Sequence, residues 1–150
     1  MHLCSTYLIV NDFEKSVSFY EKLLEMPVTK QNMNRFAQFV FEGHVIISLM
    51  NGRFDTDSPD KVVHKGEYTN LLDDLRGMAL SPNTHKFVLN FSVEDLRGER
   101  ERIKALAITE NLSTVKYVYN VSPYYFFNLT DPDGNIIEVT GEYTPAPGEF

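Results

Sequence analysis

The chain has 150 residues, 43% hydrophobic and 23% charged, which is the size and balance of one ordinary folded domain. Its 14 Lys and Arg stand against 21 Asp and Glu, a net charge of −7, so the excess positive charge that nucleic-acid binding draws on is missing. No apolar run nears the roughly 20 residues of a membrane span, no signal peptide is visible, and the single Cys4 excludes an internal disulfide framework; a cytoplasmic protein with no membrane partner is expected.

The first predicted element is a strand through Tyr7-Leu8-Ile9-Val10, ending at Asp12. Phe13, Val17, Tyr20 and Leu24 then recur at helical spacing, with Asp12 placed as an N-cap and Pro27 as a stop. Strand material follows at Val28–Asn32, Arg35–Glu42 and His44–Met50, the last two joined by a turn at Glu42-Gly43. Gly52–Thr84 is too long for a plain connection and is expected to hold a short helix around Tyr68–Leu75.

The same order then returns. Asn90-Phe91-Ser92-Val93 is a strand-like run that passes through Asp95 into a helix with Leu96, Ile103, Leu106 and Ala107 on its apolar side. Strands are predicted at Leu112–Asn120, Tyr124–Leu129 and Ile136–Thr140, the last two joined by the turn Asp131-Pro132-Asp133-Gly134. The organisation is one domain: a first module over about residues 1–51, a linker over 52–84, a second module over 85–142 and an irregular tail over 143–150.

Two βαβββ modules with V-N-D-F-E-K-S-V-S-F-Y at Val10–Tyr20 and D-P-D-G-N-I-I-E-V at Asp131–Val139 resemble the vicinal oxygen chelate superfamily of glyoxalases, bleomycin-resistance proteins and dioxygenases. The resemblance implies an α+β fold in which an eight-stranded mixed sheet curls into a cup with the helices outside. It also implies a homodimer. In enzymatic members a divalent metal sits in the cup, held by His or Gln and Glu from the first and last strands of the modules. Carried onto this chain, those positions are Ser5, Ser48 (or Ile47), Val88 and Glu138. Two hydroxyls, a hydrocarbon and one carboxylate are a poor donor set for such an ion, so no metal and no cofactor is expected. His2 and His85 fall on the wrong strand parity to replace the missing ligands, and His44 and His64 belong to no motif.

With a four-residue turn pairing Thr130 with Asn135, Phe127 would lie opposite Glu138 and share its face with Tyr125. The expected lining is then Tyr7, Tyr125 and Phe127, with Ser48, Asn90, Ser92 and Glu138 as the polar set. An aromatic pocket with a few fixed polar groups suits a small organic ligand, and a carboxylate beside aromatic rings favours a cationic or donor-rich one. The leading expectation is a metal-free binding protein of the bleomycin-resistance type. A metal-dependent lyase of the lactoylglutathione lyase type, or a related isomerase or dioxygenase, is the alternative. A regulatory interaction module is the third reading.

Overall fold

The computed structural model describes residues 5–42, 46–62, 73–82, 87–119 and 123–149, with the side chains of Tyr7, Tyr119 and Pro123 left aside. The expected Glu42-Gly43 turn, most of the helix expected at Tyr68–Leu75, and the residues His2, Cys4, His44, His64 and His85 lie outside the described residues. The chain divides into two compact units, Met1–Pro82 and Asn83–Phe150.

In the first unit, β1 (Thr6–Val10) leads into α1 (Phe13–Leu24), followed by β2 (Lys30–Asn32), β3 (Phe36–Val40) and β4 (Ile46–Asn51). The sheet order is β1-β4-β3-β2, with β1 and β4 parallel and the other pairs antiparallel. Asp12 caps α1: its carboxylate accepts from the Lys15 amide at 3.1 Å, satisfying a first-turn donor that the helix itself cannot. The buried stripe of α1 is Phe13, Ser16, Phe19, Tyr20 and Leu23. It sits one position off the expected Phe13, Val17, Tyr20 and Leu24, of which only Phe13 and Tyr20 are buried. Tyr20 stacks against Phe39 of β3, so the face carrying Leu8, Val10, Ala37, Phe39, Ile47 and Leu49 is the one α1 covers.

The described part of the linker folds onto this unit. α2 (Phe54–Asp57) is tied to the start of β3 by a two-point ion pair, Arg35 to Asp55 at 2.7 and 2.9 Å. A single turn at Pro59–Lys61 follows, and α3 (Leu75–Leu80) packs beside β1. That approach needs Gly52: a Cβ there would fall 2.5 Å from the Ala79 Cβ and 2.6 Å from the Leu75 carbonyl oxygen.

The second unit repeats the plan. β5 (Val88–Val93), α4 (Leu96–Leu106), β6 (Lys116–Tyr119), β7 (Pro123–Thr130) and β8 (Ile136–Gly141) form a sheet of order β5-β8-β7-β6, with β5 and β8 parallel. Asp95 caps α4 as Asp12 caps α1, accepting from the Gly98 amide at 3.0 Å. Leu96 and Ile103 are the buried residues of α4, whereas Leu106 is exposed and Ala107 lies past the helix end. Both helices stop on a residue in left-handed conformation that is not glycine, Glu25 at φ 51° and Ala107 at φ 50°. Among the described residues no helix is long and apolar enough to cross a membrane.

Candidate functional site

Alternation along the strands gives each sheet one face packed on its helix and one far face. In the first unit the backbone register aligns Tyr7, Ser48 and Gln38 across the strands, and Ser48 and Gln38 lie on the far face. The Gln38 amide donates to the Ser48 hydroxyl at 3.4 Å, and Ser48 is fully buried. In the second unit the equivalent row runs Asn90, Glu138, Asn128. Tyr7 and Asn90 each lie five residues before the capping aspartate, so Ser48 is by register the counterpart of Glu138. This settles the Ser48 and Ile47 alternatives, since Ile47 faces the α1 side. The side chain of Tyr7 is outside what is described.

Glu138 is held by two neighbours. Its Oε1 accepts from the Asn90 amide at 2.7 Å and from the Tyr124 hydroxyl at 3.0 Å, and Asn90 also donates to that hydroxyl at 3.0 Å. Among the described residues, Oε2 has no hydrogen-bond partner. Ser92 lies on the same face as Asn90, exposed and two residues further along β5. Tyr124, Phe126 and Asn128 supply the β7 side, and Lys116 the β6 side. The Lys116 ammonium donates to Asn128 Oδ1 at 3.1 Å and rests 5.7 Å from the centre of the Phe126 ring.

Phe127 and Tyr125 are corrections. Thr130 pairs with Ile136, not with Asn135, so Phe127 stands opposite Val139 and Asn128 opposite Glu138. The cause is the length of the turn. Asp131 donates its amide to the Asn135 carbonyl, and its carboxylate accepts from the Asp133 amide and from both the amide and the side chain of Asn135. Five residues, Asp131–Asn135, therefore separate the strands. One added residue reverses which face every β7 side chain takes. Phe127 is fully buried in the helix-side core. Tyr125 stacks between Tyr117 and Tyr143, and Tyr143 in turn lies under Arg97 of α4. Neither lines the face that Glu138 occupies. Tyr124, Asn128 and Lys116, which sequence reasoning missed, take their places.

A groove of about 660 Å³ opens beside this cluster, within the second unit. Val88, Ile136 and Leu112 give it an apolar floor, and Asn128, Thr130 and Glu110 contribute polar wall. Its far side is the segment ahead of β6, fixed by a bridge between Leu112 and Leu129 and by the Ser113 hydroxyl accepting from the Asn128 amide at 2.9 Å. Val88 and Asn90 are two residues apart on one strand, as are Ile136 and Glu138, so groove and polar cluster share a face.

The positions implied for a divalent ion carry Ser5, Ser48, Val88 and Glu138. Val88 has no donor atom, Ser48 is engaged by Gln38, and Glu138 is bonded to Asn90 and Tyr124. Among the described residues no group of three or more His, Cys, Asp or Glu is arranged to hold a metal. This donor set does not fit a divalent ion, which needs several anionic or imidazole ligands to displace water.

A family model described as the Glyoxalase/Bleomycin resistance protein/Dioxygenase superfamily matches residues 2–139, and the chain belongs to that family. It is 29% identical over 141 residues to the uncharacterized protein YraH of Bacillus subtilis (strain 168), covering 93% of this chain and 97% of that protein. A solved lactoylglutathione lyase from Agrobacterium tumefaciens superposes with a TM-score of 0.58 at 16% identity, over 93% of this chain and 92% of that one. An integron cassette protein from the mobile metagenome of V. Cholerae gives a TM-score of 0.61 at 21% identity, over 95% and 96%. At these identities the two structures share the fold alone.

Proposed function

We propose that this chain is a metal-independent member of its family that binds a small organic ligand on the far face of the second sheet. Glu138 is the acceptor for a cationic or donor-bearing group on that ligand. One observation carries the reading: the only carboxylate at a family ligand position is fixed from one side by Asn90 and Tyr124, which leaves Oε2 available. A side chain held by two neighbours presents its remaining oxygen without the entropic cost of ordering a free glutamate. The adjacent groove falls inside the roughly 300–1,000 Å³ range of small-molecule sites.

Metal analysis of the purified protein, paired with thermal scans against a compound collection without added metal, tests this. The expected result is far less than one ion per chain, with stabilisation by a subset of cationic or donor-rich compounds, since a ligand that binds only the native state raises Tm. A stoichiometric ion that is lost in Glu138→Ala, or chelator-sensitive turnover of a hemithioacetal, overturns it.

A further inference from the structure

We propose that the ligand of this face is an amphipathic zwitterion, an amino acid with an apolar side chain being the simplest example. The inference rests on the small-molecule reading above and names the class of molecule.

Asn128 joins three features. It stands directly opposite Glu138 in the β7–β8 register, it accepts from the Lys116 ammonium at 3.1 Å, and it lines the groove. Directly opposed residues have Cβ atoms about 5 Å apart, so the carboxylate of Glu138 and the ammonium of Lys116 flank a single intervening side chain. They are not each other's partners. Among the described residues neither forms an ion pair within 4.0 Å. Two opposite charges held apart on one surface, each with unused hydrogen-bonding capacity, are matched by a molecule that brings both charges at short spacing. A ligand with a single charge satisfies one of them and leaves the other facing nothing, or facing its own sign.

The rest of the molecule is constrained by what lies beside the charges. The Val88, Leu112 and Ile136 floor takes a hydrocarbon or phenyl group, and the groove has room for it. An ammonium at Glu138 and a carboxylate at Lys116, with an apolar side chain in the groove, use every part of the arrangement.

Three probes of nearly one shape separate the contributions: phenylalanine, 2-phenylethylamine, which lacks the carboxylate, and 3-phenylpropionate, which lacks the ammonium. Titration calorimetry on the full chain is expected to give phenylalanine at least a tenfold lower Kd than either analogue. In Lys116→Met phenylalanine should fall to the level of 2-phenylethylamine, and in Glu138→Gln to the level of 3-phenylpropionate. Equal affinity of phenylalanine and 2-phenylethylamine in the unmutated chain removes the anion subsite and overturns the proposal. Failure of all three probes to bind overturns it as well. In both cases the broader small-molecule reading is judged separately, by metal content and by stabilisation with other compounds. Because the three-probe comparison is made on the unmutated protein, it does not depend on either variant folding.

Discussion

Asn128 stands directly across from Glu138, and Phe127 directly across from Val139. That relationship decides which aromatic ring of β7 belongs to the core and which to the site. It also predicts a contrast between adjacent residues. Phe127→Ala should cost about 3–5 kcal/mol, as expected for removing a buried phenyl. Phe126→Ala, on the other face and only half-buried, should cost less than half as much. Urea unfolding of the two variants measures the difference, and equal losses would contradict the register.

The turn that sets this register should be sensitive to its first residue. Asp131 is buried and its carboxylate accepts three hydrogen bonds from Asp133 and Asn135. Asp131→Ala removes the acceptor of these three part-buried hydrogen bonds, at a cost of about 2 kcal/mol. At this chain length that corresponds to a fall in Tm of roughly 4–8 °C. Differential scanning calorimetry checks it.

The tail should respond to acid. Glu149 accepts from the Tyr143 hydroxyl, from the Ala146 amide at 2.7 Å and from Arg97 at 2.9 Å. The Tyr143 hydrogen bond, followed by those from Ala146 and Arg97, lowers its pKa from 4.5 to about 2. A depressed carboxylate contributes stability that is complete above its unfolded pKa and disappears as pH falls through the folded one. The contribution of this clasp should therefore fade between about pH 4.5 and 2. Exposure to solvent keeps it small. Urea midpoints across that interval should fall more steeply for the unmutated chain than for Glu149→Gln, and parallel curves would count against the clasp.

Gly52 should tolerate no side chain. Its ideal Cβ overlaps Ala79 and the Leu75 carbonyl, so Gly52→Ala must push α3 away from β1. A loss of about 1–3 kcal/mol is expected, as for other overpacked positions. Faster amide exchange confined to Leu75–Leu80 would locate the effect, while unchanged exchange there would contradict the close approach.

Much of the fold was legible because it is written in periodicity. Asp12 and Asp95 marked the helix starts, and the eight strands among the described residues fall within or beside the strand runs read from the sequence. Ser48 could be placed because Ile47 and Leu49 flank it, which leaves the serine for the other face. The site itself was half legible. Glu138, Asn90 and Ser92 share a face as read. Tyr124 and Asn128 were missed through one residue of turn length. D-P-D-G does not reveal that Asn135 closes the loop, because the closure depends on the Asp131 carboxylate reaching two atoms of Asn135. A signal was nevertheless present. At the end of β7, Phe127 and Leu129 alternate with Asn128 and Thr130, and that pattern puts those two apolar residues on the core face. The groove had no such signal, since it depends on how the segment before β6 lies against the end of β7.

The shared ending of the two helices bears on engineering. Glu25 and Ala107 occupy a backbone conformation in which a Cβ is unfavourable by roughly 1–2 kcal/mol, and glycine would relieve it. Each half of the molecule thus carries an untapped margin of robustness at a position that is neither Glu138 nor Lys116 nor a residue lining the groove. A hardened variant for ligand screening can be made from two glycines without touching any residue that would recognise the ligand.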